Sequence, residues 1–293
     1  MRVFVTGATG FIGSVVVREL IEAGHQVLGL SRSDAGAESL IAAGAQVHRG
    51  DVEDLESLRS GAAQADGVIH TAFIHDFAKF VENCEIDRRA IEAMGDVLAG
   101  SDRPFVITSG TGAASTPGRP STEDDAANSH IPRVASEQAA DAALAEGAHV
   151  SVVRLPQVHD PLKQGLISPL IAVAREKGVS AYVGDGLNRW PAVHLLDAAH
   201  LYKLVLEKGT KGTRYNAVGE EGVTAKEIAE SLGRGLNLPV VSLSPEEAGE
   251  HFGWMGMFVA HDMPASSALT QERLGWRPTG PGLIADLDQV GYL

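Results

Sequence analysis

The sequence predicts a doubly wound α/β fold with a smaller C-terminal lobe, on three observations. Short, nearly continuous apolar runs alternate with amphipathic helical stretches over the first 160 residues. The first run passes directly into a glycine-spaced turn, TGATGFIG (6–13), that opens the first helical stretch. Beyond about residue 157 this rhythm gives way to shorter, mixed segments.

The apolar runs are RVFVTG (2–7), QVLGLSR (26–32), QVHRGD (46–51), GVIHTA (67–72), FVITSG (105–110) and VSVVRLP (150–156). Unbroken hydrophobicity of this kind suits parallel strands covered on both faces. The intervening stretches show helical spacing, as in Ile12, Val15, Val16, Glu19, Leu20 and Ala23. Strand–helix alternation with right-handed crossovers then builds a parallel sheet. Further on, the sequence predicts a helix over 164–177, a short strand AYV (181–183), a loop over 184–194 and a helix over 197–207. A strand RYNAV (214–218), a helix over 224–236 and a strand PVVSL (239–243) follow. Residues 1–158 are expected to form the main domain, with 188–218 returning to it, and 159–187 with 219–293 to form the second lobe.

Composition narrows the function. The chain of 293 residues is 44% hydrophobic and 21% charged, enough for a sizeable core. Its formal net charge of −14 and its 5% aromatic content argue against a nucleic-acid partner. The one cysteine, Cys84, excludes an internal disulfide framework, and no compact His/acid spacing suggests a metal site. No apolar run approaches the ~20 residues of a membrane helix. Met1-Arg2 leads straight into a strand, so no secretory leader is expected, and the protein is expected to be soluble and cytoplasmic, acting on a small molecule.

The glycines at Gly7, Gly10 and Gly13 carry the clearest chemical signal. A strand-to-helix turn built this way brings bare backbone up to a pyrophosphate, which the helix N-terminal amides then hold. Thr9, Phe11 and Ile12 complete the loop. The plainer alternative is a strand–turn–helix with packing glycines. Where an acid would meet a ribose 2′-hydroxyl, the second strand ends in Ser31-Arg32-Ser33, which favours a 2′-phosphate and hence NADP(H) over NAD(H). A solvated surface arginine is the alternative for Arg32. Asp51 and Val52 are placed for the adenine edge, and Thr71, Ala72 and Phe73 end the fourth strand beside the cofactor.

These residues resemble the extended short-chain dehydrogenase/reductase superfamily, in its sugar epimerase/dehydratase branch. The resemblance rests on TGATGFIG, Gly50-Asp51-Val52, His70-Thr71-Ala72, Ile107-Thr108-Ser109, Arg154-Leu155-Pro156 and AVHLLDAAHLYKLVLE (192–207). It implies a Rossmann domain for a nicotinamide cofactor, a C-terminal substrate lobe, Leu155, Pro156 and Gln157 near the nicotinamide, and a homodimer. The superfamily's catalysis uses a serine with a Tyr-x-x-x-Lys pair. Ser109 fits the serine, but none of the chain's four tyrosines has a lysine four residues later. In IPRVASEQAA (131–140), Arg133 falls at the tyrosine position and Glu137 at the lysine position, a spacing that allows a helical salt bridge.

Arginine stays charged at accessible pH, so Arg133 is suited to stabilising an oxyanion and not to donating a proton. Ser109 and Thr111 are candidates to bind a substrate oxygen, and His75 and His159 to replace the missing acid. Each histidine also has a capping or packing reading, and Arg133–Glu137 has a purely structural one. His70 is expected inside the sheet and His194 in a structural role. Asn188-Arg189-Trp190 and Trp254, Met255, Met257 and Phe258 are expected to wall the substrate lobe. The sequence therefore points to an atypical NADP-dependent oxidoreductase acting on a small carbonyl, alcohol or sugar-like substrate. The alternative is an NADP-binding redox-sensing or regulatory protein with little catalysis.

Overall fold

Each apolar run becomes a strand and each amphipathic stretch a helix in the computed structural model, which describes residues 1–116, 118–127 and 130–289, without the Met257 side chain. The order is β1 (Arg2–Thr6), α1 (Phe11–Glu22), β2 (Gln26–Ser31), α2 (Asp34–Ala42), β3 (Gln46–Arg49), α3 (Leu55–Ala63) and β4 (Gly67–His70). Then come α4 (Phe80–Leu98), β5 (Pro104–Gly110), α5 (Val134–Ala145) and β6 (His149–Leu155). The remainder holds β7 (Gln157–His159), α6 (Ile167–Lys177), β8 (Ser180–Val183), β9 (Arg189–His194), α7 (Leu195–Lys208) and β10 (Arg214–Asn216). It ends with β11 (Glu220–Thr224), α8 (Ala225–Leu236), β12 (Val240–Leu243), α9 (Pro245–Phe252), α10 (Gly256–Val259), α11 (Ala268–Leu274) and α12 (Leu283–Leu287).

Seven strands form one parallel sheet in the order β10-β6-β5-β4-β1-β2-β3. Both faces are covered, and strand periodicity divides the side chains between them. Val3, Val5, Ile69, Val106 and Val153 face a core with α1, α2 and α7. Phe4, Val68, Phe105, Ile107 and Val152 face another with α3, α4 and α5. This double winding leaves the carboxyl ends of β1, β4 and β5 together at one edge, where open α/β sheets bind ligands.

The stretch 188–218 divides. β10 joins the main sheet beside β6, and α7 packs on α1. β9, expected as loop, is instead the middle strand of a second sheet, β11-β9-β7. Pro191 obscured it, since proline donates no ladder bond and counts against a central strand. The partner β11 shifts register between Glu220 and Val223, opposite Pro191, so the missing N–H is accommodated. Trp190 and Ala192 of β9 enter a third core with α6, α8 and α9. No described helix is long and apolar enough to cross a membrane.

Candidate active site

The glycine turn is built by close backbone approach. Gly7 has φ +65°, and a Cβ there would sit 2.7 Å from the Ala72 nitrogen. A Cβ on Gly13 would lie 2.1 Å from the Gly7 carbonyl oxygen. The ends of β1 and β4 are stitched together by Thr71 N–H and Oγ1 donating to the Thr6 carbonyl, at 3.3 and 2.8 Å. Gly10 caps α1 in an extended conformation with no side-chain cap, and the first turn carries no acid. The amides of Phe11, Ile12 and Gly13 therefore open onto a cradle that suits an anion. Phe11, Ile12 and Leu155 pack on the same core, and the Lys163 ammonium stands 5.3 Å above the Phe11 ring. Bare backbone, helix N-terminus and a nearby cation fit the pyrophosphate of a nicotinamide dinucleotide.

At the end of β2, Arg32 is free to meet a ligand: its side chain is 79% exposed, with only a 3.6 Å contact to Asp51. An exposed pair of this kind contributes little and yields readily to a phosphate. The flanking serines also bond locally. Ser31 Oγ donates to the Ser33 carbonyl at 3.0 Å, and Ser33 Oγ accepts from Gly36 N–H at 3.1 Å, capping α2. Both bonds shape the turn, and Ser33, which only accepts, keeps its hydroxyl proton for a ligand. Thr9 reaches the same turn, its methyl close to Gly36. Asp51 accepts from Glu53 N–H, and Val52 packs on the second core.

Arg133 stands at the N-cap of α5 and projects to the ends of β4 and β5. Its guanidinium donates to Asp87 Oδ2 at 2.7 Å, Ser136 Oγ at 2.8 Å and the Thr108 carbonyl at 2.9 Å, and lies 4.1 Å over the Phe73 ring. These bonds use three of arginine's five N–H groups and fix the plane of the fork. Asp87 is buried and accepts from Ser136 Oγ at 2.6 Å. It also contacts His70 Nε2 at 3.1 Å, and His70 Nδ1 meets Thr6 Oγ1 at 2.6 Å. A buried polar chain thus runs from the glycine-loop strand to Arg133. Burial pushes the Asp87 carboxyl up, but Arg133, His70 and Ser136 overrule it and hold it below the usual range.

The predicted Arg133–Glu137 salt bridge does not form. Glu137 is buried and takes a bidentate pair from Arg154 of β6, 2.8 Å to each oxygen, with Arg214 at 3.4 Å. Arg133 precedes the first helical turn and turns to the sheet edge, whereas Glu137 faces the core, where a carboxylate requires a cation. Burial raises the Glu137 carboxyl, and Arg154 and Arg214 bring it below its ordinary value. Removing Arg154 leaves that buried charge with the long Arg214 contact alone. Arg154→Ala is expected to cost about 3–5 kcal/mol, read by denaturant unfolding. Because both Asp87 and Glu137 are depressed, their stabilisation is complete above the unfolded carboxyl range near ~4 and is lost as pH falls through their folded values. Unfolding free energies measured from pH 7 to 3 should therefore decline steeply below about pH 4.

Ser109, at the end of β5, is buried near Glu137 without a well-formed hydrogen bond. Thr111 follows in a 3₁₀ turn, with a long 3.5 Å contact to the Leu155 carbonyl. His75 lies on the loop after β4, edge-on to Phe73 at 5.2 Å and open to solvent. The protein around it and the Arg133 charge lower its pKa, and Lys163 adds to that effect.

The structure does not bring His159 to this group. Fully buried, it bonds Asp286 Oδ2 at 2.6 Å and lies beside His194, a set disjoint from the surroundings of Arg133. β7 turns it inward under α12. Gln157 is likewise occupied: its amide bonds the carbonyls of Val158 and Gln164 and accepts from Leu166 N–H, organising the loop after β7. Leu155 and Pro156 remain at the exit of β6. His194 caps α7, as its structural reading requires. Asn188 donates to the Val259 carbonyl, Arg189 is paired with Asp262, and Trp190 and Met255 are core residues; among the described residues of the expected lobe wall, Trp254 and Phe258 reach the aromatic loop after β4. The Met257 side chain lies outside the described residues.

Sequence reasoning missed Asp87. Its signal was present: it falls on the buried stripe of α4 with Cys84, Ala90, Ile91 and Met94, and an acid there demands a cation.

The chain matches the model of the NAD dependent epimerase/dehydratase family over residues 3–218. It is 50% identical over 294 residues to Uncharacterized protein C2A9.02 of Schizosaccharomyces pombe, covering 100% of both chains. It is 46% identical to Uncharacterized protein YLL056C of Saccharomyces cerevisiae, over 98% of each. In fold it is similar to the dTDP-glucose 4,6-dehydratase DesIV of Streptomyces venezuelae, solved with NAD bound, at TM-score 0.79 and 22% identity, covering 99% of this chain and 96% of that one. With the glycine cradle, the strand order and the sheet-edge cluster, these matches place the chain in the NAD dependent epimerase/dehydratase family of oxidoreductase-like proteins.

Proposed function

We propose that the protein is an NADP(H)-preferring oxidoreductase that interconverts a small carbonyl compound and its alcohol, with an active site that departs from the Tyr-x-x-x-Lys arrangement. The observation that carries this reading is the Arg133 guanidinium, fixed by Asp87, Ser136, the Thr108 carbonyl and Phe73 at the sheet edge that holds Ser109. Residues 1–158 with α7 and β10 would hold the cofactor, and 159–187 and 219–293 with β9 would form the lobe on the substrate side.

When bound, the nicotinamide supplies or accepts the hydride. Ser109 and Thr111 orient the substrate oxygen, and Arg133 stabilises the charge that develops on it. His75, exposed on the loop after β4, relays a proton between solvent and that oxygen. Glu137 supports the site from below by fixing α5 to β6.

Arg32 supports the NADP preference. Arg32→Asp should weaken NADPH binding by at least tenfold and change NADH binding much less, as measured by nicotinamide fluorescence titration. Equal losses for both would remove Arg32 from the 2′-phosphate. The competing reading, an NADP-responsive regulator, is favoured by the three N–H groups that Arg133 commits to structure. Steady-state NADPH consumption across aldehydes, ketones and nucleotide sugars tests the choice: turnover with one class supports the oxidoreductase. Binding without turnover across all of them supports the regulator.

A further inference from the structure

The mechanism above leaves unused a wall of aromatic rings leading away from Arg133. In a chain whose aromatics make up 5% of residues, five meet here. Phe77 stacks on Trp254 with centroids 4.4 Å apart and planes within 5°. Phe258 stands edge-on to Phe77, Phe80 and Trp254, at 5.9, 6.4 and 6.2 Å. Phe80 continues the wall to Phe73 at 6.3 Å, and Phe73 carries the Arg133 guanidinium. His75 bridges Phe73 and Phe77. Two segments distant in sequence, one following β4 and one following α9, therefore converge on a single ring-lined surface whose inner end is the oxyanion-stabilising arginine.

Resting on the oxidoreductase reading, we infer that the substrate class is a flat aryl aldehyde or aryl ketone, its ring lying along this wall and its carbonyl oxygen at Arg133. Offset and edge-to-face ring contacts reward a π-surface specifically, beyond apolar area. A nucleotide sugar would need cations for its diphosphate and partners for its hydroxyls. The rings themselves offer neither; of the charged residues in the segment, Asp76 caps the Phe77–Lys79 turn through Ala78 N–H, and Lys79 and Glu82 flank Phe80 with their side chains exposed. In the reduction, NADPH gives a hydride to the carbonyl carbon, forming its new C–H bond. The C=O π pair moves onto oxygen, and a solvent proton passed through His75 completes the alcohol, leaving NADP⁺.

The test compares shape-matched pairs. Isothermal titration of the NADP⁺ complex with 2-naphthalenemethanol and with decahydro-2-naphthalenemethanol reads binding without turnover, and kcat/KM for the two aldehydes reads chemistry. The aryl ligand is expected to bind about tenfold more tightly and to hold a similar lead in kcat/KM. Trp254→Ala and Phe77→Leu should each collapse both ratios towards one. Trp254 is already 38% exposed, so its loss is expected to be tolerated by the fold. Equal affinity for the two alcohols, together with turnover of both aldehydes, overturns the aryl assignment and leaves the oxidoreductase reading standing. No binding of either alcohol and no oxidation of NADPH by either aldehyde overturns both.

Discussion

Arg133→Met is expected to lower kcat/KM for carbonyl reduction by about 10²- to 10³-fold while leaving NADPH affinity within a few-fold. The guanidinium is a fixed cation bonded to the Thr108 carbonyl of β5 and to Asp87, and its hydrogen bonds reach neither the glycine cradle nor Arg32. A charge that is preorganised before the oxyanion forms acts at its full strength when it does. The same substitution also leaves the buried Asp87 with only the His70 and Ser136 hydrogen bonds and no guanidinium, at a cost of about 3–5 kcal/mol to stability. Adding Asp87→Asn removes that charge and should recover most of the stability, yet turnover should remain low. Recovery of turnover together with stability would make Arg133 a structural residue only. Arg133→Lys, which keeps the charge without the fork, should fall between the two.

The second large effect is at the cradle. Gly13→Ala should weaken NADPH binding more than 100-fold and lower the Tm, because its methyl would sit 2.1 Å from the Gly7 carbonyl oxygen. That atom is backbone, so the turn itself must move, and overpacking of this kind costs about 1–3 kcal/mol. Gly10→Ala, whose Cβ would meet the same oxygen at 3.1 Å, should show a smaller loss. Fluorescence titration and thermal melts of the two variants read this gradient. Similar behaviour of both would mean that the two positions are not graded by approach to Gly7.

What the sequence shows of this molecule follows the range of its interactions. The glycine spacing reports a local backbone turn, and the apolar runs report strands buried on both faces, so both were legible. β9 was not, because Pro191 reads as a break until β11 is seen to shift register beside it. The site partners were hidden for a related reason. The i,i+4 rule joins Arg133 to Glu137, but burial outweighed helical proximity: Glu137 took Arg154 from β6, and Arg133 took Asp87 from α4. His159 sits after a strand that points towards the site edge, but β7 pairs with β9 and carries the imidazole into the core. The aromatic wall joins segments more than half the chain apart, a juxtaposition set by tertiary packing alone.

The most direct test of chemistry without the tyrosine and lysine is a single-turnover deuteride transfer. Protein in excess is loaded with NADPH carrying deuterium at C4 and mixed with 2-naphthaldehyde, and the product is read by mass spectrometry and NMR. The account predicts one deuterium at the carbinol carbon, transferred from one face of the nicotinamide, and a rate that Arg133→Met slows by about 10²-fold or more. Bound NADPH that keeps its deuterium against this and every other carbonyl tried would contradict it and favour the NADP-responsive regulator.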